Sequence, residues 1–325
     1  MNIAIIGCGV IGGKRAELLP NNVRLIGCFD ILPKVSQEFA LKFQTTAFDS
    51  LDQILKIQNL DAVVVSTKHD SLSKISIAAL QKGLHVFVEK PGAIRYLELL
   101  KMSEIATSNN LKLHIGYNHQ YHPGIQKAHS LIANGEIGPL MFIRARYGHG
   151  GRIGYEKEWR ADKAQSGGGE LIDQGTHLIE IAISLLGEIE LDYCATPTYF
   201  WNMRVEDNAF ISAKNKSGAI AFLHASCTEW KNLFSLEIYG KKGKIDVNGL
   251  GRSYGVETVT FHKMLNEMGP PQSESWNFDL PDSSWSLELD EFLSDVTNGT
   301  NRSNNVSSSL FVLKLVEEIY ERTGR

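Results

Sequence analysis

No apolar run in the chain reaches the roughly 18 residues a spanning helix needs, so no membrane segment is expected. Charge of neither sign dominates. The 33 basic and 37 acidic residues leave a net charge of −4, with no footprint for nucleic acid or an anionic membrane. Cysteine is sparse. The four present, Cys8, Cys28, Cys194 and Cys227, show no C-x-x-C pair and no other metal-ligand spacing. Cys8 and Cys28 fall on strand-like segments, where buried free thiols are common, and the set points to a reduced, cytoplasmic setting. No basic stretch precedes the first apolar run, which reads as a strand and not as a signal peptide. Internal repeats and low-complexity tracts are also missing. What is left is ordinary globular composition, 43% hydrophobic and 22% charged, in 325 residues. That length suggests two domains and a substantial core.

Short apolar runs at 2–6, 23–30, 61–66, 84–88 and 111–116 alternate with helical patterns such as 71–82 and 94–108. Gly83 suits a helix C-cap. Alternation of this kind predicts a parallel, doubly wound sheet over residues 1–120, with ligands beyond the carboxyl ends of its strands. The first turn reads Gly7-Cys8-Gly9-Val10-Ile11-Gly12, between a strand and a helix, and Asp30 closes the next strand about 20 residues on. Gly7 permits the tight turn, Gly9 clears space for a pyrophosphate, and Gly12 lets helix and strand approach. The helix N-terminus offers N–H groups to phosphates. The Asp30 carboxylate suits a ribose diol and repels a 2′-phosphate, so NAD is expected over NADP. Ser66, Thr67, His69, Glu89, Lys90 and Asn118 follow other strand ends and join the expected cofactor contacts.

From His122-Pro123 onward the pattern changes. A helix at 123–134 leads into β-like segments at 140–148, 189–200, 207–214, 218–226, 232–239 and 243–248, with hairpin turns at 215–218 and 240–243. One helix interrupts them near 170–186, and two more end the chain at about 284–298 and 306–323. The last carries Leu310, Leu313, Val316 and Ile319 at core spacing. Residues 121–325 are therefore expected to form an α+β domain with a large, mostly antiparallel sheet, the terminal helices returning toward the first domain.

Four constellations carry chemistry. Lys90, in Glu89-Lys90-Pro91, is either an aimed donor to a substrate oxygen or a solvated loop lysine. Asp173 and His177 stand at i and i+4 after Gly167-Gly168-Gly169, glycines that permit close approach of a ligand. The histidine suits proton transfer, although a structural pair, or metal ligation with Glu170 or Glu180, reads from the same letters. Without a convincing third ligand, no metal is expected. Asn118 and His119 lie in the segment joining the domains, where Tyr121 and His122 suit hinge packing. The loop at 148–169 holds Arg152, Trp159 and Arg160, residues that suit sugars and phosphates, or else a cover loop or subunit contact.

Taken together, GCGVIG at 7–12, EKP at 89–91, GYNHQYHP at 116–123 and GGGELIDQGTH at 167–177 resemble the Gfo/Idh/MocA oxidoreductases over essentially the whole length. The resemblance implies an N-terminal Rossmann domain and a C-terminal open sheet that mediates dimers or tetramers. It implies that Lys90 is catalytic and precedes a cis proline, and that Asp173 and His177 form the family's D-x-x-x-H pair, with the histidine as acid/base. Two departures stand out. Thr67-Lys68-His69-Asp70-Ser71-Leu72 replaces a T-P-x-x-x-H pattern, and Gln120 stands where arginine is common.

The expected activity is that of an NAD(P)-dependent dehydrogenase or reductase acting on a CH–OH group of a sugar, nucleotide sugar or cyclitol. Lys90, Asp173 and His177 would be its catalytic residues. Lys90, Asn118, His119, Arg152, Trp159, Arg160, Asp173 and His177 would bind substrate. An NAD-recycling lyase or glycosidase of the same fold, and a non-enzymatic NAD-binding sensor, are the alternatives.

Overall fold

The computed structural model describes residues 1–301 and 305–325. Its chain divides into two units, Met1–Tyr117 with Trp285–Leu313, and Asn118–Ser284 with Lys314–Arg325.

In the first unit the apolar runs become five parallel strands: β1 (Asn2–Ile6), β2 (Arg24–Phe29), β3 (Ala62–Val65), β4 (His85–Glu89) and β5 (Leu113–Gly116), ordered β2-β1-β3-β4-β5. Parallel strands need helical crossovers, and the intervening segments supply them. These are α1 (Val10–Glu17), α2 (Pro33–Phe43), the single turn α3 (Leu51–Ile54), α4 (His69–Gln81) and α5 (Tyr96–Ser108). Helices on both faces explain why the strands are continuously apolar and not alternating: Ile3, Ile5, Ile6, Val63, Val65, Val86 and Val88 are all fully buried. Gly83, at φ +79°, ends α4 in the left-handed cap expected of it. Far along the chain, Leu289, Phe292 and Leu293 join Ile3, Phe39 and Phe87 in one core. Each such side chain contributes about 1.5–3 kcal/mol by leaving water.

The second unit is built on eight strands. In chain order they are β6 (Leu140–Gly148), β7 (Ile189–Ala195), β8 (Asn208–Asn215), β9 (Ile220–Ser226), β10 (Leu233–Gly240), β11 (Gly243–Asn248), β12 (Glu257–Lys263) and β13 (Gln272–Phe278). The sheet order is β13-β12-β11-β10-β6-β9-β8-β7, and β6 runs parallel to β9 while every other pair is antiparallel. Here the strands alternate. Ile143, Ala145 and Tyr147 of β6 point inward with Phe234, Leu236 and Ile238 of β10, while Arg144, Ile220 and Phe222 face out. The inner face is covered by α6 (Pro123–Ala133) and by α8 (Thr176–Leu186), whose Leu178, Ile179, Ile181 and Ala182 are fully buried. The turns at 215–218 and 240–243 form as read: Gly240 pairs with Gly243, and the Asn215 side chain accepts from the Ser217 and Ala219 amides.

Two strands escaped the sequence reading. β12 and β13 form the edge of the sheet, and β13 is exposed along nearly its whole length, so it lacks the apolar alternation that marks a strand. In the other direction, the strand expected over 189–200 stops at Ala195. The amides of Tyr199, Phe200 and Trp201 are all taken by the Asp207 carboxylate instead of a neighbouring strand.

The final helices are α9 (Ser284–Asn298) and α10 (Asn305–Thr323). Leu313, Val316 and Ile319 are buried as their spacing predicts, and Leu310 is half-buried.

Candidate active site

The carboxyl ends of parallel strands share one edge of a sheet, which gathers the predicted cofactor residues of the first unit. Gly7 holds φ +97°, and a Cβ there would stand 2.6 Å from the Ser66 backbone. A Cβ on Gly12 would lie 2.0 Å from the Gly7 carbonyl oxygen, so helix and turn touch because both residues are glycine. Ser66 Oγ donates to the Gly7 carbonyl at 2.8 Å and pins the turn. Gly9 differs: a Cβ there would meet nothing within 4 Å. Gly9 also caps α1 without any side-chain hydrogen bond, and Val10 beside it is 88% exposed while Ile11 is half-buried. An open glycine under an uncapped helix N-terminus fits a pyrophosphate. The Asp30 carboxylate is fixed by two amides, Cys8 N–H and Leu32 N–H, both at 2.9 Å. Each oxygen retains accepting capacity for a diol. Thr67 donates a long bond to the Lys68 carbonyl oxygen, and His69 is buried at the start of α4.

Glu89 ends β4 with its carboxylate turned inward to the Arg15 guanidinium, Nε to Oε1 at 2.7 Å. Lys90 follows, half-buried, and the Lys90–Pro91 peptide is cis, as the resemblance implied. The turn closes with Gly92 N–H on the Glu89 carbonyl at 3.0 Å. Cys8 and Cys28 are free and buried, as expected.

In the second unit the site is built around residues 167–177. The glycines here serve the chain itself, a correction to their reading as a ligand approach. A Cβ on Gly168 would fall 1.8 Å from the Tyr320 hydroxyl, and one on Gly169 would fall 2.0 Å from the Glu206 carbonyl oxygen. The Glu206 carboxylate collects the Gly169 amide (2.9 Å), the Leu171 amide (3.1 Å) and the Tyr320 hydroxyl (2.7 Å). On that footing the backbone widens into a π turn, Leu171–Gly175, before α8. Such turns gather at functional sites.

Asp173 and His177 leave this π-to-α junction, both buried. Arg160 Nε donates to Asp173 Oδ2 at 2.9 Å. Burial disfavours the Arg160 cation, but Asp173, Tyr155 and Glu158 together outweigh that and raise its pKa. The His177 imidazole lies face to face with His119, ring centroids 3.7 Å apart and 16° from parallel. Tyr147 stands edge-on to both rings and beside Tyr254 at 4.9 Å. Burial, reinforced by Tyr254, lifts the Tyr147 phenol well above its ordinary range. Glu170 accepts from the Tyr155 hydroxyl at 2.9 Å, with His149 Nε2 at 3.6 Å. His149 Nδ1 in turn accepts from the Gly151 amide at 3.0 Å.

The remaining predicted residues scatter. Asn118 donates to Ser284 Oγ at 2.8 Å. Arg152 is exposed and paired with Glu158 at 2.8 Å. Trp159 is half-buried beneath the Arg160 guanidinium at 4.6 Å. His122 is buried against Glu257 at 3.2 Å. Glu180 accepts from the Gln120 amide. Among the described residues no group of three His, Cys, Asp or Glu side chains converges to hold a metal. Sequence reasoning missed Tyr254, Glu206 and Arg15. Only Tyr254 left a trace, an aromatic set among the glycines of 249–255.

Comparison with known proteins fits this geometry. A family model described as an oxidoreductase family with an NAD-binding Rossmann fold matches residues 1–117. The GFO/IDH/MocA C-terminal domain matches residues 125–246. Glucose-6-phosphate 3-dehydrogenase of Bacillus subtilis (strain 168) is 27% identical over 251 residues, 76% of this chain but only 66% of that enzyme. A 2,7-anhydro-N-acetylneuraminate hydratase of Escherichia coli (strain K12) is 26% identical over 284 residues, 82% of this chain and 73% of that protein. The solved structure of levoglucosan dehydrogenase with NADH and levoglucosan shares the fold, with TM-score 0.89 at 20% identity, covering 100% of this chain and 97% of that one.

Proposed function

Because the chain belongs to the Gfo/Idh/MocA oxidoreductase family, with an NAD-binding Rossmann fold over residues 1–117, we propose that it transfers a hydride between nicotinamide and a hydroxyl or keto carbon of a sugar, nucleotide sugar or cyclitol. The observation that carries this reading is Lys90, which leaves β4 on the same edge of the parallel sheet as the open glycine turn. The chemistry a bound nicotinamide supplies is two-electron transfer at the carbinol carbon. In the oxidation direction His177 takes the hydroxyl proton. Lys90 donates a hydrogen bond to the same oxygen and stabilises its developing charge. Asp173, which accepts from Arg160, positions the substrate ring. His119, Arg152, Trp159 and Asn118 complete the substrate contacts in this reading, and Asp30 favours NAD over NADP. The unit of Met1–Tyr117 with Trp285–Leu313 serves the cofactor, and that of Asn118–Ser284 with Lys314–Arg325 serves the substrate and self-association.

The outer face of the large sheet supports a homodimer or homotetramer. It presents Tyr193, Tyr199, Ile220 and Phe222 to solvent, interspersed with Arg144 and its partner Glu237. A patch of that kind marks an interaction surface. Among the described residues no helix is long and apolar enough to cross a membrane, and a cytoplasmic site of action goes with the reading.

Thermal shift with NAD alone, then with glucose 6-phosphate, levoglucosan, myo-inositol and nucleotide sugars, followed by NADH-coupled turnover, tests the proposal. Stabilisation by NAD and turnover of a polyol are expected; a chain indifferent to NAD ends the case. The likeness to the Escherichia coli hydratase favours one second reading, a redox-neutral cycle on retained NAD. Purified protein that absorbs in the NADH band and consumes substrate without net NADH selects that alternative.

A further inference from the structure

By size, Arg15 leads the fully buried side chains of the described residues, and the reaction outlined above gives it no task. Its guanidinium uses all three nitrogens in different directions. Nε donates to Glu89 Oε1 at 2.7 Å, Nη2 to Glu288 Oε2 at 2.6 Å, and Nη1 to the Trp285 carbonyl at 3.0 Å. Two aromatic rings lie against the group as well, Phe87 at 4.3 Å and Trp285 at 4.5 Å from the guanidinium carbon. Gly116 makes room for the group: a Cβ there would stand 3.1 Å from Glu89 Oε2 and 3.3 Å from Arg15 Nη2. Three of the five donors of a planar fork are thus committed to fixed acceptors, one from each nitrogen, which a lysine could not reproduce.

A buried ion pair is weak grounds for a stability role, since well-packed apolar groups do as well or better. What this one supplies is direction. Glu89 is the last residue of β4, immediately before Lys90, and its carbonyl closes the turn that carries Lys90. Arg15 sits on α1, the helix whose first turn borders the open Gly9. One side chain therefore joins the dinucleotide turn to the lysine turn. We propose that Arg15 is the positioning residue of Lys90, acting through Glu89, so that the ammonium is aligned with the cofactor site by the same helix that forms that site. This inference rests on the assignment of Lys90 made under Proposed function.

Competitive amine labelling of the full chain with an N-hydroxysuccinimide ester, read by mass spectrometry with and without NAD, tests it without requiring a substrate. Lys34 and Lys42, both exposed, serve as internal controls. In the unmodified protein NAD should slow labelling of Lys90 about tenfold relative to the controls, because small displacements at a positioned group carry effects of order 10–100-fold. Glu89→Gln keeps the side chain's shape and leaves Arg15 paired with Glu288. It should cut that protection to less than about twofold when NAD is saturating. Arg15→Lys keeps the buried cation and loses the fork, and should do the same. Undiminished protection in both variants overturns the positioning role while leaving Lys90 in place. Protection lost together with NAD binding reveals a merely structural clamp and also overturns it. Absence of protection in the unmodified protein removes the assignment of Lys90 itself, and the inference with it.

Discussion

His119 and His177 lie in van der Waals contact as parallel imidazoles, 3.7 Å between ring centres, under the edge of Tyr147. His119 comes from the short 3₁₀ turn Asn118–Tyr121 and His177 from the first turn of α8. The stack fixes the plane of the proposed acid/base. His119→Ala should cost about 2 kcal/mol through the void it leaves and reduce turnover roughly tenfold by freeing His177. His119→Phe, which restores a flat ring, should recover most of both. Chemical denaturation and steady-state kinetics on the two variants decide it; equal turnover in all three proteins would remove the stack from consideration.

Lys90→Ala and His177→Ala should each lower turnover by roughly 10²-fold or more. NAD affinity should stay within about threefold, because the open glycine turn and Asp30 are untouched. Calorimetric titration with NAD beside coupled kinetics gives both quantities. Full activity in either variant strikes that residue from the mechanism.

Glu206 gives a pH-dependent prediction. Burial pushes its carboxyl above the ordinary value of 4.5, and the hydrogen bonds from Tyr320 and the Leu171 and Gly169 amides lower it without cancelling that push. A raised acid stabilises the fold in its protonated form. Its contribution is complete below pH 4.5 and is lost as pH rises through the folded value. Glu206→Gln keeps an accepting oxygen for all three donors and cannot ionise. Its melting temperature should exceed that of the parent at pH 8, and the gap should close as pH falls toward 4.5. A gap that widens on acidification contradicts the assignment.

The reading of glycine turns survived the structure because their cause is local. Gly7 and Gly12 are required by backbone atoms close in the chain or on the adjacent strand, and a short motif records that. The cis Lys90–Pro91 peptide was legible only through the family resemblance of Glu89-Lys90-Pro91. Gly168 and Gly169 were misread because their partners, Tyr320 and Glu206, lie far away in sequence. Distance in the chain likewise hid Arg15, whose partners are Glu89, Trp285 and Glu288. The i, i+4 spacing of Asp173 and His177 was plain, but the π turn that widens the backbone beneath Asp173 has no letter code. Edge strand β13 escaped because exposure removes the pattern by which strands are read.

Phe222→Glu introduces charge at the exposed centre of the large sheet without touching its buried face. If that face joins copies of the chain, the substitution should shift the protein to a smaller species by light scattering, with NAD binding retained. An unchanged mass assigns self-association to another surface.

The hydroxyl of Tyr320 occupies the space that a side chain at position 168 would take, and it bonds to the glutamate that organises the turn beneath Asp173. Further anchors follow it, as Thr323 bonds to Thr196 and Arg325 donates to Thr196, Thr198 and Arg204. During synthesis, then, the turn bearing Asp173 stays unfinished until some 150 more residues have emerged from the ribosome. A nascent chain arrested short of position 320 would hold every predicted contact residue and still lack the wedge that braces the turn bearing Asp173.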